Sequence, residues 1–209
     1  MIFVSIDIET LGSNINAPII QVGFAIGDTS TGEILGSEEA LVTHYNYDNC
    51  EPYAMAMNAG ILDKISGRVK HDDFTISKDS VAWWLKNRFM AYVPNLGNRS
   101  NKVTFAGKNV ASFDLPRLSL LNDFNKISYH HRCLDPSILY FEEGDECLPD
   151  TKLCMDRAGL SGEVAHTAKE DAIIVAKLIF NRLSKQDGTA TGFQSSVIGD
   201  RYPAGSIQK

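Results

Sequence analysis

The sequence has few cysteines and no pattern that would pair them. Its four cysteines form no CxxC pair and do not have the spacing of a disulfide framework. The stretch His130-His131-x-Cys133 could begin a zinc site, but no second pair of ligands follows it. These patterns favour free thiols over a protein held together by disulfides or zinc.

Long apolar runs and clusters of positive charge are also missing. No segment approaches the ~20 consecutive apolar residues that span a bilayer, and no basic stretch opens the chain as in a signal peptide. We therefore expect no membrane partner and a cytoplasmic location. The net charge is −6, without a basic tract, so the overall charge does not indicate a nucleic-acid binder. An acidic active site can nevertheless be neutralised locally by bound cations.

The residues that are present suit one globular domain. The chain has 209 residues, of which 44% are hydrophobic and 22% charged, as in soluble globular proteins. We predict a single domain over residues 1–185. Residues 186–209 are rich in Gly, Ser, Thr and Gln, which predicts a loosely ordered C-terminal tail.

Strands are predicted early in the chain and helices later. Runs rich in β-branched residues predict strands over residues 1–10, 19–27 and 33–43, joined by short turns into an antiparallel meander. Further strands are predicted at 103–107 and about 130–134. Helical spacing and capping residues predict helices over residues 51–65, 81–92, 112–122, 148–158 and 166–185, and a short one after Asp135-Pro136. This order predicts an α/β fold with a mixed sheet.

Two carboxylates interrupt the first apolar strand. Side chains alternate along a strand, so Asp7 and Glu9 face the same side, roughly 6–7 Å apart. Burying two carboxylates this close is unfavourable, because they repel each other and lose hydration. A divalent cation between them would relieve both effects. An edge strand with one polar face is the alternative.

Two aspartates and a histidine later in the chain are open to similar alternatives. Asp171 lies in an apolar helix, where its carboxylate needs a metal or a salt bridge to a core Arg or Lys. Asp114 follows the strand at 103–107, where it is either a helix cap or a site residue at a strand end. His166 precedes Asp171 by five positions, and a lone histidine there is ordinarily a surface residue.

In this order, the five residues resemble the DEDDh 3′–5′ exonucleases of the ribonuclease H-like superfamily. The matching motifs are Asp7-Ile8-Glu9-Thr10, Gly107-Lys108-Asn109-x3-Phe113-Asp114 and His166-x-Ala168-x-x-Asp171-Ala172. The resemblance extends from residue 1 to about residue 183. It looks most like the DexA-type phage exonucleases and the exoribonuclease AS group. It implies a ribonuclease H-like mixed sheet, an antiparallel meander followed by parallel strands, flanked by helices.

The resemblance also implies a two-metal mechanism with Mg²⁺ or Mn²⁺. Asp7, Glu9 and Asp171 would hold the first ion, and Asp7 would bridge to the second. Asp114 would act largely through coordinated waters. His166 would deprotonate the nucleophilic water.

The implied substrate is a single-stranded nucleic acid with a free 3′ end. Thr10 and Leu11 would contact the terminal nucleotide, and Asn109 and Phe113 would line the adjacent channel. We favour DNA, degraded to nucleoside 5′-monophosphates, because the nearest look-alikes include phage enzymes. If the chain is itself phage-encoded, its location is the host cytoplasm.

Three other functions were weighed. An exoribonuclease acting on RNA 3′ ends is the main alternative. A catalytically silent nucleic-acid-binding module is disfavoured because all five motif residues are present. A small-molecule phosphohydrolase is disfavoured because no Gly-rich phosphate-binding loop appears. The oligomeric state is left open, with a homodimer among the alternatives.

Overall fold

The fold was taken from a computed structural model, which describes residues 1–161 and 167–186. Five strands form its sheet: β1 (Ile2–Thr10), β2 (Ile19–Asp28), β3 (Glu33–Thr43), β4 (Thr75–Ser77) and β5 (Phe105–Ala106). Their spatial order is β4-β3-β2-β1-β5. The first three strands are antiparallel neighbours, whereas β4 and β5 run parallel to β3 and β1. The predicted α/β fold with a mixed sheet is therefore confirmed.

Seven helices accompany the sheet in the described ranges. They are α1 (Pro52–Met57), α2 (Ala59–Ile65), α3 (Val81–Tyr92), α4 (Asp114–Leu118), α5 (Pro136–Leu139), α6 (Thr151–Ala158) and α7 (Ala168–Gln186). Short 3-10 turns occupy Lys78–Ser80 and Phe124–Lys126. None of the helices in the described part of the chain has the length and apolar character needed to cross a bilayer.

Apolar side chains pack on both faces of the sheet because neighbouring residues in a strand point to opposite sides. On one face, Phe24 packs edge-on against Trp84 and Phe89 of α3, with ring centroids 5.6 and 5.1 Å away. On the other face, Ala25 belongs to a cluster that includes Ala176 of α7. The small side chains of this second face let α7 lie close to the sheet.

Several predicted helices are shorter than the sequence indicates. The predicted helix over 51–65 is divided at Asn58 into α1 and α2. The helix predicted over 112–122 is limited to α4, because turns precede it and Asp123 adopts a left-handed backbone with φ of 66°. The helix predicted from Leu148 begins at Thr151, since Asp150 caps it by accepting a hydrogen bond from the Leu153 N–H at 2.7 Å.

Two strand predictions also change. The strand predicted at 103–107 is shortened to β5 (Phe105–Ala106). The strand predicted at 130–134 is reduced to two isolated parallel bridges, Val103 with Tyr129 and Ala106 with Leu134. The intervening residues leave the sheet between these bridges. Strand β4 was not predicted. Of the predicted tail, Gln186 ends α7, and residues 187–209 lie outside the described residues.

Candidate active site

Three of the predicted carboxylates meet at one end of β1. Asp7 and Glu9 lie on β1, and Asp171 lies in the first turn of α7. One carboxylate oxygen from each residue lies within 4.8 Å of the others. All three side chains are half-buried. The structure therefore brings together oxygen ligands from two elements that are far apart in sequence, at a spacing that suits a divalent cation.

Gly23 allows α7 to reach these carboxylates. It pairs with Asp7 in the antiparallel register of β1 and β2. A Cβ atom on Gly23 would lie 2.2 Å from the Lys169 nitrogen and 2.3 Å from the Ala168 carbonyl carbon. The first turn of α7 thus rests directly on the β2 backbone, and any side chain at Gly23 would displace it. Asp171 follows in that same turn.

Two polar side chains of the sheet hold the start of α7. The Gln21 Oε1 accepts a hydrogen bond from the Ala168 N–H at 3.2 Å, and the Glu39 Oε2 accepts one from the Lys169 N–H at 3.3 Å. The first N–H groups of a helix have no partner within the helix, and a negative charge there is favourable. Sequence reasoning missed both residues. Gln21 offered a signal, because it is a polar residue inside an otherwise apolar strand.

Asp114, the first residue of α4, also lies at this site. It is 3% exposed, and its Oδ1 accepts a hydrogen bond from the Ile8 N–H at 3.2 Å. The N–H of Val4, four residues earlier, bonds to the Thr104 carbonyl. Alternate residues of a strand direct their N–H groups to the same edge. The Ile8 N–H therefore points to the edge of β1 that pairs with β5, at a level beyond the end of β5. Asp114 therefore bonds to the edge of β1 at Ile8, which lies between Asp7 and Glu9.

Burial and mutual repulsion alter the acidity of these groups. The pKa of Asp7 is raised well above its ordinary value, first by burial and then by the charges of Asp114, Asp171 and Glu9. Burial also raises the pKa of Asp114 to about 7, although the hydrogen bond from the Ile8 N–H opposes this shift. Without a cation, the site therefore retains protons near neutral pH.

The carboxylates open into a cleft of about 550 Å³. The described residues that line it are Asp7, Ile8, Lys108, Asn109, Ser112, Phe113, Asp114, Thr151, Asp171 and Val175. Two predicted substrate residues, Asn109 and Phe113, are among them. The other two are not. Thr10 is 9% exposed and donates its hydroxyl to the Gly12 carbonyl at 2.9 Å, and Leu11 is fully buried. A nucleotide could touch the Leu11 side chain only if its surroundings move, so these two roles stay predictions.

Asn109 and Phe113 are each fixed by a residue that sequence reasoning missed. Asn109 has a left-handed backbone with φ of 55°, and its N–H donates to the Asp135 Oδ2 at 2.9 Å. The other Asp135 oxygen caps α5 by accepting from the Ser137 N–H. The Arg117 guanidinium lies over the Phe113 ring, 3.7 Å from its centroid. His166 lies outside the described residues, so its role also stays a prediction.

Comparison with known protein families and with curated protein sequences finds no match to this chain. Solved structures do match. Escherichia coli exonuclease I in complex with a dT13 oligonucleotide superposes with a TM-score of 0.59 and 16% identity, over 88% of this chain and 41% of that one. The chain therefore spans well under half of exonuclease I. A second match is a 3′-exonuclease, from a structure of 3′-end-specific recognition of a histone mRNA stem-loop. Its TM-score is 0.59 and its sequence identity is 16%, over 90% of this chain and 82% of that one. Cell-death related nuclease 4 (CRN-4) matches with a TM-score of 0.59 and 14% identity, over 90% of this chain and 64% of that one.

These matches establish the fold. The chain has the mixed, helix-flanked sheet of the 3′-exonucleases and related nucleases, which is the ribonuclease H-like architecture that the sequence motifs imply. The low identities leave activity and substrate to be argued from the site itself.

Gly23→Ala should weaken cation binding by displacing α7. The added methyl group meets backbone atoms at 2.2–2.3 Å, and forced overpacking of this kind costs about 1–3 kcal/mol. We expect a lower melting temperature and a Mn²⁺ affinity that is reduced on the order of tenfold, measured by calorimetry. Gly60→Ala is the matched control, because nothing outside its own stretch of helix lies within 4 Å of the added methyl group. It should keep the Mn²⁺ affinity of the wild type without a lower melting temperature, since Ala favours a helix over Gly. Unchanged Mn²⁺ affinity in Gly23→Ala would contradict the role of this contact in placing Asp171 for cation binding.

The metal-free protein should lose stability as the pH rises. A carboxyl group whose pKa is higher in the folded than in the unfolded chain binds protons preferentially in the folded state. Its contribution is therefore present at low pH and is lost as the pH rises through the folded pKa, which is about 7 for Asp114. Melting temperatures in a chelator, measured from about pH 4 to pH 8, should fall less in Asp114→Asn, which keeps the acceptor for Ile8. Asp72 is exposed, so Asp72→Asn is the control and should show the same pH dependence as the wild type. If Asp114→Asn also shows that pH dependence, the raised pKa does not belong to Asp114.

Proposed function

We propose that this chain is a metal-dependent 3′–5′ exonuclease that releases nucleoside 5′-monophosphates from a single-stranded nucleic acid. The observation that carries the proposal is the convergence of Asp7, Glu9 and Asp171 within 4.8 Å, beside the buried Asp114. This cluster opens into a cleft, on a fold shared with 3′-exonucleases.

The ligand set suits Mg²⁺ or Mn²⁺ better than zinc, since all of its donors are carboxylate oxygens. Asp7, Glu9 and Asp171 would hold the first ion, and Asp7 with Asp114 would serve a second. When bound, two such ions activate a water molecule and stabilise the attacking and leaving oxygens of a phosphoryl displacement. Their charge would also offset the repulsion that raises the Asp7 pKa.

The remaining chemistry is assigned to residues of the chain. His166 would accept the proton of the attacking water, as a general base with a pKa near the working pH. Attack at phosphorus breaks the bond to the 3′ oxygen of the preceding nucleotide, so the phosphate leaves on the 5′ oxygen of the released one. Asn109 and Phe113 would hold the strand in the cleft that they line.

Single-stranded DNA is the proposed substrate, with RNA as the alternative. A similarity to exonuclease I bound to dT13 supports DNA, whereas the 3′-exonuclease that recognises a histone mRNA stem-loop supports RNA. Discrimination requires a group that reads the 2′-hydroxyl, and no sequence motif here identifies one. A direct comparison of DNA and RNA oligonucleotides decides between them.

A 5′-labelled DNA oligonucleotide should be shortened one nucleotide at a time in Mg²⁺ or Mn²⁺ and left intact in a chelator. The same sequence as RNA should be degraded more slowly. A 3′-phosphate should block degradation, because the terminal nucleotide could no longer be held by its free 3′ end. Asp7→Asn should reduce turnover on the order of 10³-fold or more, since it removes a shared metal ligand. Asp72→Asn serves as the control, and cleavage of a circular single strand would indicate an endonuclease instead.

His166→Ala should separate proton transfer from cation binding. We expect turnover to fall on the order of 10²–10⁴-fold, the usual contribution of a general base. Mn²⁺ affinity should stay near that of the wild type. In rates measured across pH at saturating metal, the variant should lose the acidic inflection near ~6.5 that a histidine gives. A large loss of Mn²⁺ affinity would make His166 a ligand, and an unchanged acidic limb would leave it without a catalytic role.

A further inference from the structure

Among the described residues that line the cleft, Lys108 is the one cation. It lines the cleft together with Asp7, Asp114 and Asp171, and its side chain is half-buried. Within the described residues, its ammonium group forms no ion pair with any of these carboxylates. The group is therefore available to an anion that enters the cleft.

The turn that carries Lys108 lies against the strand that carries Asp7. Strands β1 and β5 are parallel, with Ser5 paired to Ala106. Beyond Ala106 the chain leaves the sheet in a turn that contains Lys108. Gly107 keeps the turn close to the strand, because a Cβ atom there would lie only 2.9 Å from the Ile6 carbonyl oxygen. The loop that carries Lys108 is thus in direct contact with the strand that carries Asp7.

The backbone on both sides of Lys108 is also anchored. The Gly107 N–H donates to the Leu134 carbonyl at 3.0 Å. The Asn109 N–H donates to the Asp135 carboxylate at 2.9 Å. Only the side chain of Lys108 is left to adapt, from a fixed starting point at the edge of the carboxylate cluster.

We propose that Lys108 donates a hydrogen bond to a non-bridging oxygen of the scissile phosphate. This inference rests on the proposed function and adds a phosphate-binding residue to it. Lysine binds phosphate as a compact positive charge, and a fixed cation beside the reacting phosphorus stabilises the charge that develops there. Its place in one cleft with Asp7, Asp114 and Asp171 favours the scissile phosphate over one further along the strand.

Three variants test the proposal. Lys108→Gln removes the charge, and Lys108→Arg retains it. Lys102→Gln makes the same change in net charge at an exposed residue that does not line the cleft. Melting temperatures of all three should stay near that of the wild type, which shows that differences in activity do not come from unfolding.

The first measurement uses two substrates. One is a DNA oligonucleotide, and the other is the p-nitrophenyl ester of thymidine 5′-monophosphate, which contains a single phosphodiester. Lys108→Gln should lower kcat/KM on the order of 10- to 100-fold on both, the range for a lost hydrogen bond to a charged group. Lys108→Arg should recover most of this loss, and Lys102→Gln should behave as the wild type.

The second measurement is binding without turnover. Anisotropy of a 5′-fluorescein-labelled single strand is measured with Ca²⁺ in place of Mg²⁺, at a concentration at which the strand is not shortened, so that the carboxylates are occupied. It should show weaker binding in Lys108→Gln. The slope of log affinity against log salt should decrease in magnitude by about 0.7, the value for one phosphate contact in a single strand. Lys102→Gln should leave the slope unchanged.

Two results would overturn the proposal. A loss on the oligonucleotide but not on the single-phosphodiester ester would place Lys108 at a more distant phosphate. Equal losses of kcat/KM in Lys108→Gln and Lys102→Gln would show that the effect comes from the net charge of the protein and not from a contact of Lys108. Failure of the wild type to degrade any oligonucleotide would instead refute the proposed function, and the salt slope would still show whether Lys108 contacts phosphate.

Discussion

Repulsion among carboxylates is the constraint on which the rest of the structure depends. Asp7, Glu9 and Asp171 are held within 4.8 Å of one another, and burial adds to the cost of their charges. Such an arrangement exists only because stronger packing elsewhere fixes the elements that carry it. The aromatic contacts of Phe24 on one face of the sheet and the close approach of α7 on the other provide that packing. The protein thereby maintains a site that is unfavourable until a cation occupies it.

Around this site, polar side chains repeatedly accept hydrogen bonds from backbone N–H groups of other elements. Gln21 and Asp114 are both nearly fully buried, and each accepts a hydrogen bond from a backbone N–H group, Gln21 from Ala168 at the start of α7 and Asp114 from Ile8 within β1. Asp135 accepts two such bonds, from Asn109 and from Ser137 in the first turn of α5. A polar side chain that bonds to backbone fixes its position more precisely than apolar contact does, because the geometry of a hydrogen bond is directional. Each functional side chain thus projects from a backbone that is hydrogen-bonded to another part of the fold.

The sequence predicted the long strands and the carboxylate cluster because both leave local patterns. Alternation along β1 placed Asp7 and Glu9 on one face, and the apolar surroundings of Asp171 indicated an inward position. Strand β4 could not be found in this way, since three residues are too few to form a pattern. The role of Gly23 depends on contact with Lys169, which is distant in sequence, and no local signal reports such a contact. Burial of Leu11 could not be predicted either, because its motif position carries no local signal of the residues that cover it.

Charge also determines the order in which ligands can enter. The chain carries a net charge of −6, and its cleft is lined by Asp7, Asp114 and Asp171. A nucleic acid therefore meets repulsion at long range, and within the site from each carboxylate that has lost its proton. Under the proposed function, a phosphodiester therefore reaches the reacting position only after divalent cations have reversed the local charge. Cation binding in turn displaces the protons that Asp7 and Asp114 retain. Proton release, cation binding and substrate binding are thus linked through one group of carboxylates, and the affinity for the nucleic acid depends on pH through the cation.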